Sequence, residues 1–309
     1  MNNMKLPDPM KSVNESFDLY SHAGLLDAEG EMKRPYGEME ESVENLKSNS
    51  VNIQREATAQ LLRFAKQNME NRILIAEYGG IRWLVNLLHS PDPEIQQNAV
   101  TTLLYLAINH DNKATIANSD AIGSLIHVLQ AGTSEAQENS AATLFCLSVI
   151  HENKSRIGKL GAIGPLVQLL RNGTPRGKNH AVMALFNLSI DNENRARIAR
   201  AGAVKFIVEL SNDPVAGMID KAVAVLESLS RIPEGRAAIS EAGGIPVLVK
   251  VLELGSAREK ENAAAALLRL CVNSRRFCRM VLLEGSEPPL LALTLSGLPR
   301  AREKVWYPA

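Results

Sequence analysis

Residues 152–163 read ENKSRIGKLGAI, and the same phrase returns as ENRILIAEYGGI at 70–81, DNKATIANSDAI at 111–122, ENRARIARAGAV at 193–204 and EGRAAISEAGGI at 234–245. Ile81, Ile122, Ile163, Val204 and Ile245 close these segments at intervals of 41 residues, and each opens an apolar run. A unit of this length cannot bury an apolar face alone, so neighbouring units must stack for the chain to fold.

A helical period near 41 predicts a HEAT or armadillo solenoid. The expected fold is all-α, a right-handed armadillo-repeat superhelix of about six three-helix units with the last one truncated. Composition agrees: hydrophobic residues make up 45% and aromatics only 4%, which suits stacked helices better than a sheet sandwich. Lys+Arg and Asp+Glu both total 34, and this balance argues against non-specific binding to nucleic acid or anionic membrane. No apolar run reaches 18 residues, so no membrane insertion is expected. Residues 1–16, MNNMKLPDPMKSVNES, carry no apolar signal-peptide core. Cys146, Cys271 and Cys278 are unpatterned and read as reduced thiols, which points to the cytoplasm or the nucleus.

Three pieces make up each unit. In the first, a short helix, Asn71, Asn112, Asn153 and Asn194 are expected as N-caps. Gly79, Gly161, Gly202 and Gly243 are expected to end it in the left-handed conformation. Asp120 stands where a glycine belongs, so that turn is expected to be strained. A second helix buries Ile163, Leu166, Val167, Leu169 and Leu170. The long third helix is expected to be capped by Asp92-Pro93 and Thr174-Pro175, and by Ser134 with Gln137 and Ser256 with Glu259 at capping-box spacing. In the fourth repeat Asp213-Pro214 is the expected cap. Residues 1–40 are expected as a disordered tail, 41–304 as the solenoid and 305–309 as a C-terminal tail, with Leu290, Leu291 and Leu293 under-covered.

Residues at i, i+3 and i+7 of a long helix share a face. Translated along the repeat, the first row is Glu56, Asn98, Asn139, His180, Lys221 and Asn262. The middle row is Ala59, Thr101, Ala142, Met183, Ala224 and Ala265, and the last is Arg63, Tyr105, Cys146, Asn187, Ser228 and Arg269. In an armadillo arrangement these rows line the concave groove. Its candidate partner-binding residues are Glu56, Arg63, Asn98, Thr101, Tyr105, Asn139, His180, Asn187, Lys221, Asn262 and Arg269. Amides there offer a donor and an acceptor to a bound backbone, and Arg63, Arg269, Arg176 and Arg258 offer forks for carboxylates or phosphates.

No catalytic residue, cofactor site, metal site or small-molecule substrate is expected. GTPRGKN (173–179) has the wrong spacing for a phosphate loop and follows a helix. No HExxH occurs, and Cys271 and Cys278 lack the second pair that a zinc site needs. An importin-like cargo groove is disfavoured, because the middle row holds no tryptophan and only Asn187 fits the asparagine row.

The stretches NSAATLFCLSVIHENKSRIGKLGAIGPLVQLLRNGTPRGK (139–178) and RIPEGRAAISEAGGIPVLVKVLELGSAREKENAAAALLRLC (231–271) closely resemble the armadillo domain of plant U-box ubiquitin ligases, over about Val43 to Lys304. In that family the U-box engages the ubiquitin-conjugating enzyme, while the armadillo array recruits targets or regulators, including kinase domains of receptor-like kinases. A U-box needs roughly 70 residues. Too few precede the repeats here, and none is a cysteine, so the resemblance implies recruitment without catalysis. The expected function is a non-catalytic protein-interaction scaffold in ubiquitin-dependent signalling. The alternative is the substrate-recognition part of a U-box ligase whose U-box lies outside this chain.

Overall fold

The computed structural model describes residues 36–213, 217–272 and 274–295, and every described element is helical, in nineteen helices. The chain forms two compact units, 1–121 and 122–309.

The N-terminal unit holds α1 (Tyr36–Asn45), α2 (Val51–Gln67), α3 (Met69–Glu77), α4 (Gly80–Leu87), α5 (Pro93–Leu106) and α6 (His110–Asn118). The long helices α2 and α5 pack against each other, and α4 packs along α5. Met39, Val43 and Leu46 are buried at spacings of four and three, which seats α1 on α2. This helix opens at Tyr36, so the expected boundary at 41 falls within it; residues 1–35 lie outside the described residues.

The C-terminal unit runs through α7 (Ala121–Ala131), α8 (Ser134–Leu147), α9 (His151–Lys159), α10 (Ile163–Asn172) and α11 (Pro175–Leu188). It continues with α12 (Asn192–Arg200), α13 (Ala203–Ser211), α14 (Ile219–Leu229), α15 (Pro233–Glu241), α16 (Gly244–Leu254) and α17 (Ala257–Cys271), then α18 (Arg275–Leu283) and α19 (Glu287–Leu295). The long helices α8, α11, α14 and α17 pack in succession, each neighbour on the next. Behind them the second helices supply the core, with Ile163, Leu166, Val167, Leu169 and Leu170 all buried in α10. No described helix is long and apolar enough to cross a membrane.

Local capping explains most helix starts. Asp92 and Thr174 accept N–H groups of their first turns ahead of Pro93 and Pro175, and Ser256 with Glu259 closes a reciprocal box. At α8 the cap is Thr133, not Ser134: Thr133 is extended (φ −59°, ψ 161°) and its hydroxyl accepts from the N–H of Ala136. In the fourth repeat α14 starts only at Ile219, with Met218 at the cap position and no side-chain bond, so Asp213 does not cap it. Pro214 lies outside the described residues.

The repeated asparagines have another role than the one expected. The caps of α3, α6 and α12 are Asn68, Asn109 and Asp191, each three residues earlier. Asn71, Asn112, Asn153 and Asn194 point inward as third residues of their helices and are buried. Their amides donate to Phe64 O (3.0 Å), Arg72 O (3.0 Å), Leu147 O (3.0 Å) and Lys154 O (2.8 Å). An inward amide finds a buried carbonyl there and satisfies it.

Gly79, Gly161, Gly202 and Gly243 take positive φ, as expected. Asp120 takes φ 55°, the one positive-φ residue other than glycine among the described residues. Replacing it is a direct test of that strain. Asp120→Gly is expected to stabilise the N-terminal unit by roughly 0.5–1 kcal/mol, read as a higher urea midpoint.

At the other end Leu291 is 59% exposed, as expected, but Leu293 is 4% exposed because α19 lies against α16. Leu290 is half-buried. Residues 305–309 lie outside the described residues.

Candidate functional site: the polar rows of the long helices

In the N-terminal unit, Glu56 and Arg63 stand exposed on α2, and Arg63 donates to Gln60 one turn earlier. Asn98 is half-buried on α5, and its amide has no hydrogen bond among the described residues. Thr101 turns its hydroxyl back onto Gln97 O at 2.7 Å. Tyr105 is 8% exposed, with the Arg72 guanidinium 5.6 Å from its ring centre. Three of the five candidates, Arg63, Thr101 and Tyr105, therefore have contacts within their own unit, and Asn98 is the amide left to offer.

In the C-terminal unit the first row begins with Asn139, which is 1% exposed. Its Oδ1 accepts from Arg176 at 2.8 Å, so Arg176 covers it; the same guanidinium lies 3.8 Å from the Glu138 carboxylate. His180 follows, with both ring nitrogens buried and without a hydrogen-bond partner. Burial, and secondarily the Arg176 charge, hold its pKa down at about 4. Lys221 sits 3.2 Å from Asp220 and 5.6 Å from the centre of the Phe186 ring. Arg258, expected as a fork for carboxylates or phosphates, is 3.5 Å from Asp220. Asn262 is half-buried, and its amide has no hydrogen bond among the described residues.

The middle row is closed, since Ala142, Met183, Ala224 and Ala265 are all buried. In the last row Cys146 is buried, Asn187 donates to Ser148 Oγ at 3.0 Å and Ser228 donates to Ser189 O at 2.7 Å. Arg269 pairs with Glu227, which also accepts from Arg231 at 3.0 Å. The rows therefore form a mostly satisfied polar surface over a floor of small residues. Asn262 and the outer edges of Arg231 and Arg269 are what it leaves to a partner.

A second recurrence, invisible to a search for groove residues, supports these rows. A cation follows the repeated asparagine, or Gly235 in the fifth repeat: Arg72, Lys113, Lys154, Arg195 and Arg236. Each donates to a carbonyl at the end of a long helix, namely Ala65 (2.7 Å), Ile108 (3.4 Å), Val149 (3.2 Å), Ser189 (2.8 Å) and Ser230 (3.2 Å). Those carbonyls are the orphans of a helix C-terminus, and a cation also meets the negative end of the helix dipole. Burial lowers the pKa of Arg72, Lys154 and Arg195. The 41-residue recurrence of Lys or Arg was the available signal.

Thr174, inside the loop that resembles a phosphate loop, caps α11. Burial pushes the Cys271 thiol up to about 12, helped by Cys278 beside it. Among the described residues no group of three or more His, Cys, Asp or Glu is placed to hold a metal ion.

Comparison with known proteins matches residues 38–292 to the plant U-box protein ARM repeat region. U-box domain-containing protein 4 of Arabidopsis thaliana is 62% identical over 83 residues, which are 26% of this chain and 10% of that protein. The E3 ubiquitin-protein ligase SPL11 of Oryza sativa subsp. japonica is 52% identical over 56 residues, 18% of this chain and 8% of that protein. The chain thus matches only a small part of these relatives' length. Among solved structures, computationally designed armadillo repeat proteins for modular peptide recognition superpose with TM-score 0.68 at 26% identity, covering 75% of this chain and 99% of theirs. An engineered protein superposes with TM-score 0.75 at 26% identity, covering 86% of this chain and 66% of its own.

Proposed function

Because the chain belongs to the plant U-box protein ARM repeat family, we propose that its long-helix rows hold an extended segment of a partner protein, in or beside ubiquitin-dependent signalling. The observation that carries this reading is the pair Asn98 and Asn262. Each is a half-buried amide without an internal partner, at the same repeat position in the two units. Each amide is open to solvent, and a bound peptide backbone can take the place of water by matching its donor and acceptor together. Designed armadillo proteins of similar fold were made for modular peptide recognition, which supports the same use of the rows.

The partner class that fits the family is a folded signalling protein presenting an exposed segment, such as a receptor-like kinase domain or another ubiquitination target. Asn98→Leu and Asn262→Leu are each expected to weaken capture of the native partner about tenfold while leaving the melting profile in place. Unchanged affinity in both variants would remove the rows from the interface.

A second reading follows from the relatives' names: the chain is the recruiting part of a U-box ligase, with ubiquitin transfer supplied by a U-box elsewhere. An immunoblot of source tissue with an antibody to the repeats separates the two. A band at 33.7 kDa supports the adaptor, and only a much larger band supports the ligase.

A further inference from the structure

The fourth repeat breaks the pattern of the others at two positions. Where Leu104, Phe145, Phe186 and Leu268 stand in their repeats, the fourth has Glu227. Where Ile108, Val149, Ile190 and Val272 stand, it has Arg231. An apolar pair four residues apart has become an ion pair, with 3.0 Å between Arg231 Nη2 and Glu227 Oε1. At the first position Leu104 and Phe145 are buried, so a part-exposed ion pair there stabilises the fold less than they do; at the second, Val149, Ile190 and Val272 are already exposed. Departures from a local pattern without a stabilising gain concentrate at functional positions.

Glu227 is the shared acceptor of an arginine cluster. Arg269, from the next long helix, pairs with the same Oε1. Arg195 lies close enough for Arg231, Glu227, Asp191 and Arg269 all to act on its charge. Three guanidiniums thus face two carboxylates, and one of these, Asp191, is occupied in capping α12. Arg195 is spent on its own scaffold: it donates to Ser189 O, Ile190 O, Ser228 Oγ and Asn192 Oδ1. Arg231 and Arg269 are not. Their side chains are 46% and 30% exposed, and each uses one nitrogen on Glu227 out of the five donors a guanidinium carries. Glu227 itself is only 13% exposed, so it orients both forks from beneath.

We propose that Arg231 and Arg269, held by Glu227 beside the last row of the C-terminal unit, form a subsite for an anionic oxygen group carried by the partner segment, either a carboxylate or a phosphomonoester. The subsite rests on the groove reading and adds to it the charge of the partner at one position. Two forks meeting at one carboxylate, Arg231 from the turn that follows α14 and Arg269 from α17, suit a group with several acceptor oxygens. Arg195 adds positive potential from below. The other repeats, with Phe and Ile or their equivalents, lack the donors, so recognition of the anion is confined to the fourth and fifth repeats.

The test uses the full chain and three nine-residue Gly/Ser peptides that differ only at the centre, as phosphoserine, glutamate or glutamine. Arginine Nε–Hε resonances report binding. The phosphoserine peptide is expected to shift Arg231 and Arg269 saturably, with a dissociation constant at least tenfold below that of the glutamine peptide. A glutamate peptide of equal strength assigns a carboxylate site, and a weaker one a phosphate site. Arg231→Gln with Arg269→Gln is expected to abolish the preference. So is Glu227→Phe with Arg231→Ile, which restores the pair of the preceding repeat and guards against a variant that merely unfolds. No saturable shift with either anionic peptide overturns the subsite, as do shifts spread over all surface arginines that survive both variants. The groove reading is judged separately, by partner capture in Asn262→Leu.

Discussion

Acidification from pH 6.5 to about 4 is expected to take on the order of 3 kcal/mol out of the fold through His180 alone. In the folded chain this imidazole stays neutral down to about pH 4, first because it is buried and second because Arg176 stands near it. In the unfolded chain it takes up its proton near 6.5. Between those values the unfolded state binds more protons, so stability rises with pH. The contribution is complete above pH 6.5, is lost as the pH falls through the window, and is fully lost below about 4. Urea melts of the wild type and of His180→Asn at pH 7 and pH 4 isolate it, since the general titration of carboxylates is common to both chains. Asparagine is the natural replacement, because Asn139 and Asn262 hold the same repeat position. Melting in a solenoid need not be two-state, so hydrogen exchange within α11 is the more local measure. Parallel pH dependences in the two chains would show that the ring takes up its proton without penalty.

The contrast between what was and was not legible in the sequence follows the range of each interaction. The period of 41 fixed the helices because apolar spacing and turn residues act locally. The caps at Asp92, Thr174 and Ser256 were readable for the same reason: a capping side chain bonds to N–H groups two or three residues ahead. Thr133 and Ser134 carry the same hydroxyl one residue apart, and only the backbone angles choose between them. The row from Asn71 to Asn194 was misread because its amides reach carbonyls that lie in other helices. Among the candidate site residues, the amides of Asn98 and Asn262 stay open to solvent. Asn139 does not, because Arg176 reaches back from the next repeat and covers it. Long charged side chains bridge about one repeat, as Arg55 does to Asp92 and Arg269 to Glu227, and translating a row along the period cannot foresee them. The pair Glu227 and Arg231 was legible in the aligned repeats, but neither residue falls on the rows drawn at i, i+3 and i+7.

Gly235→Asn is expected to destabilise the C-terminal unit by about 3 kcal/mol, although four other repeats carry asparagine at that position. Averaging over the repeats predicts the opposite sign, since replacing a helical glycine normally stabilises by roughly 0.5–1 kcal/mol. Geometry decides against the average. A Cβ on residue 235 would lie 2.0 Å from Leu229 O and 2.7 Å from Leu229 C. Both atoms belong to the backbone where α14 ends, and that carbonyl already accepts from the N–H of Ile232 at 3.1 Å. It cannot move aside as a flexible side chain would, so α15 must shift away from α14. At the corresponding carbonyl two repeats earlier, Leu147 O, there is room for Asn153 to approach and donate its amide at 3.0 Å. The reverse exchange, Asn194→Gly, is expected to cost about 2 kcal/mol, because it removes a fully buried amide that ties α12 to Lys154 O at 2.8 Å. Lower urea midpoints for both substitutions, with faster hydrogen exchange in α15 for the first and in α12 for the second, would show that each repeat has fitted this position to its own neighbour. A raised midpoint for Gly235→Asn would mean that the α14–α15 junction relaxes freely and that the repeat average, not the local approach of Leu229, governs the site.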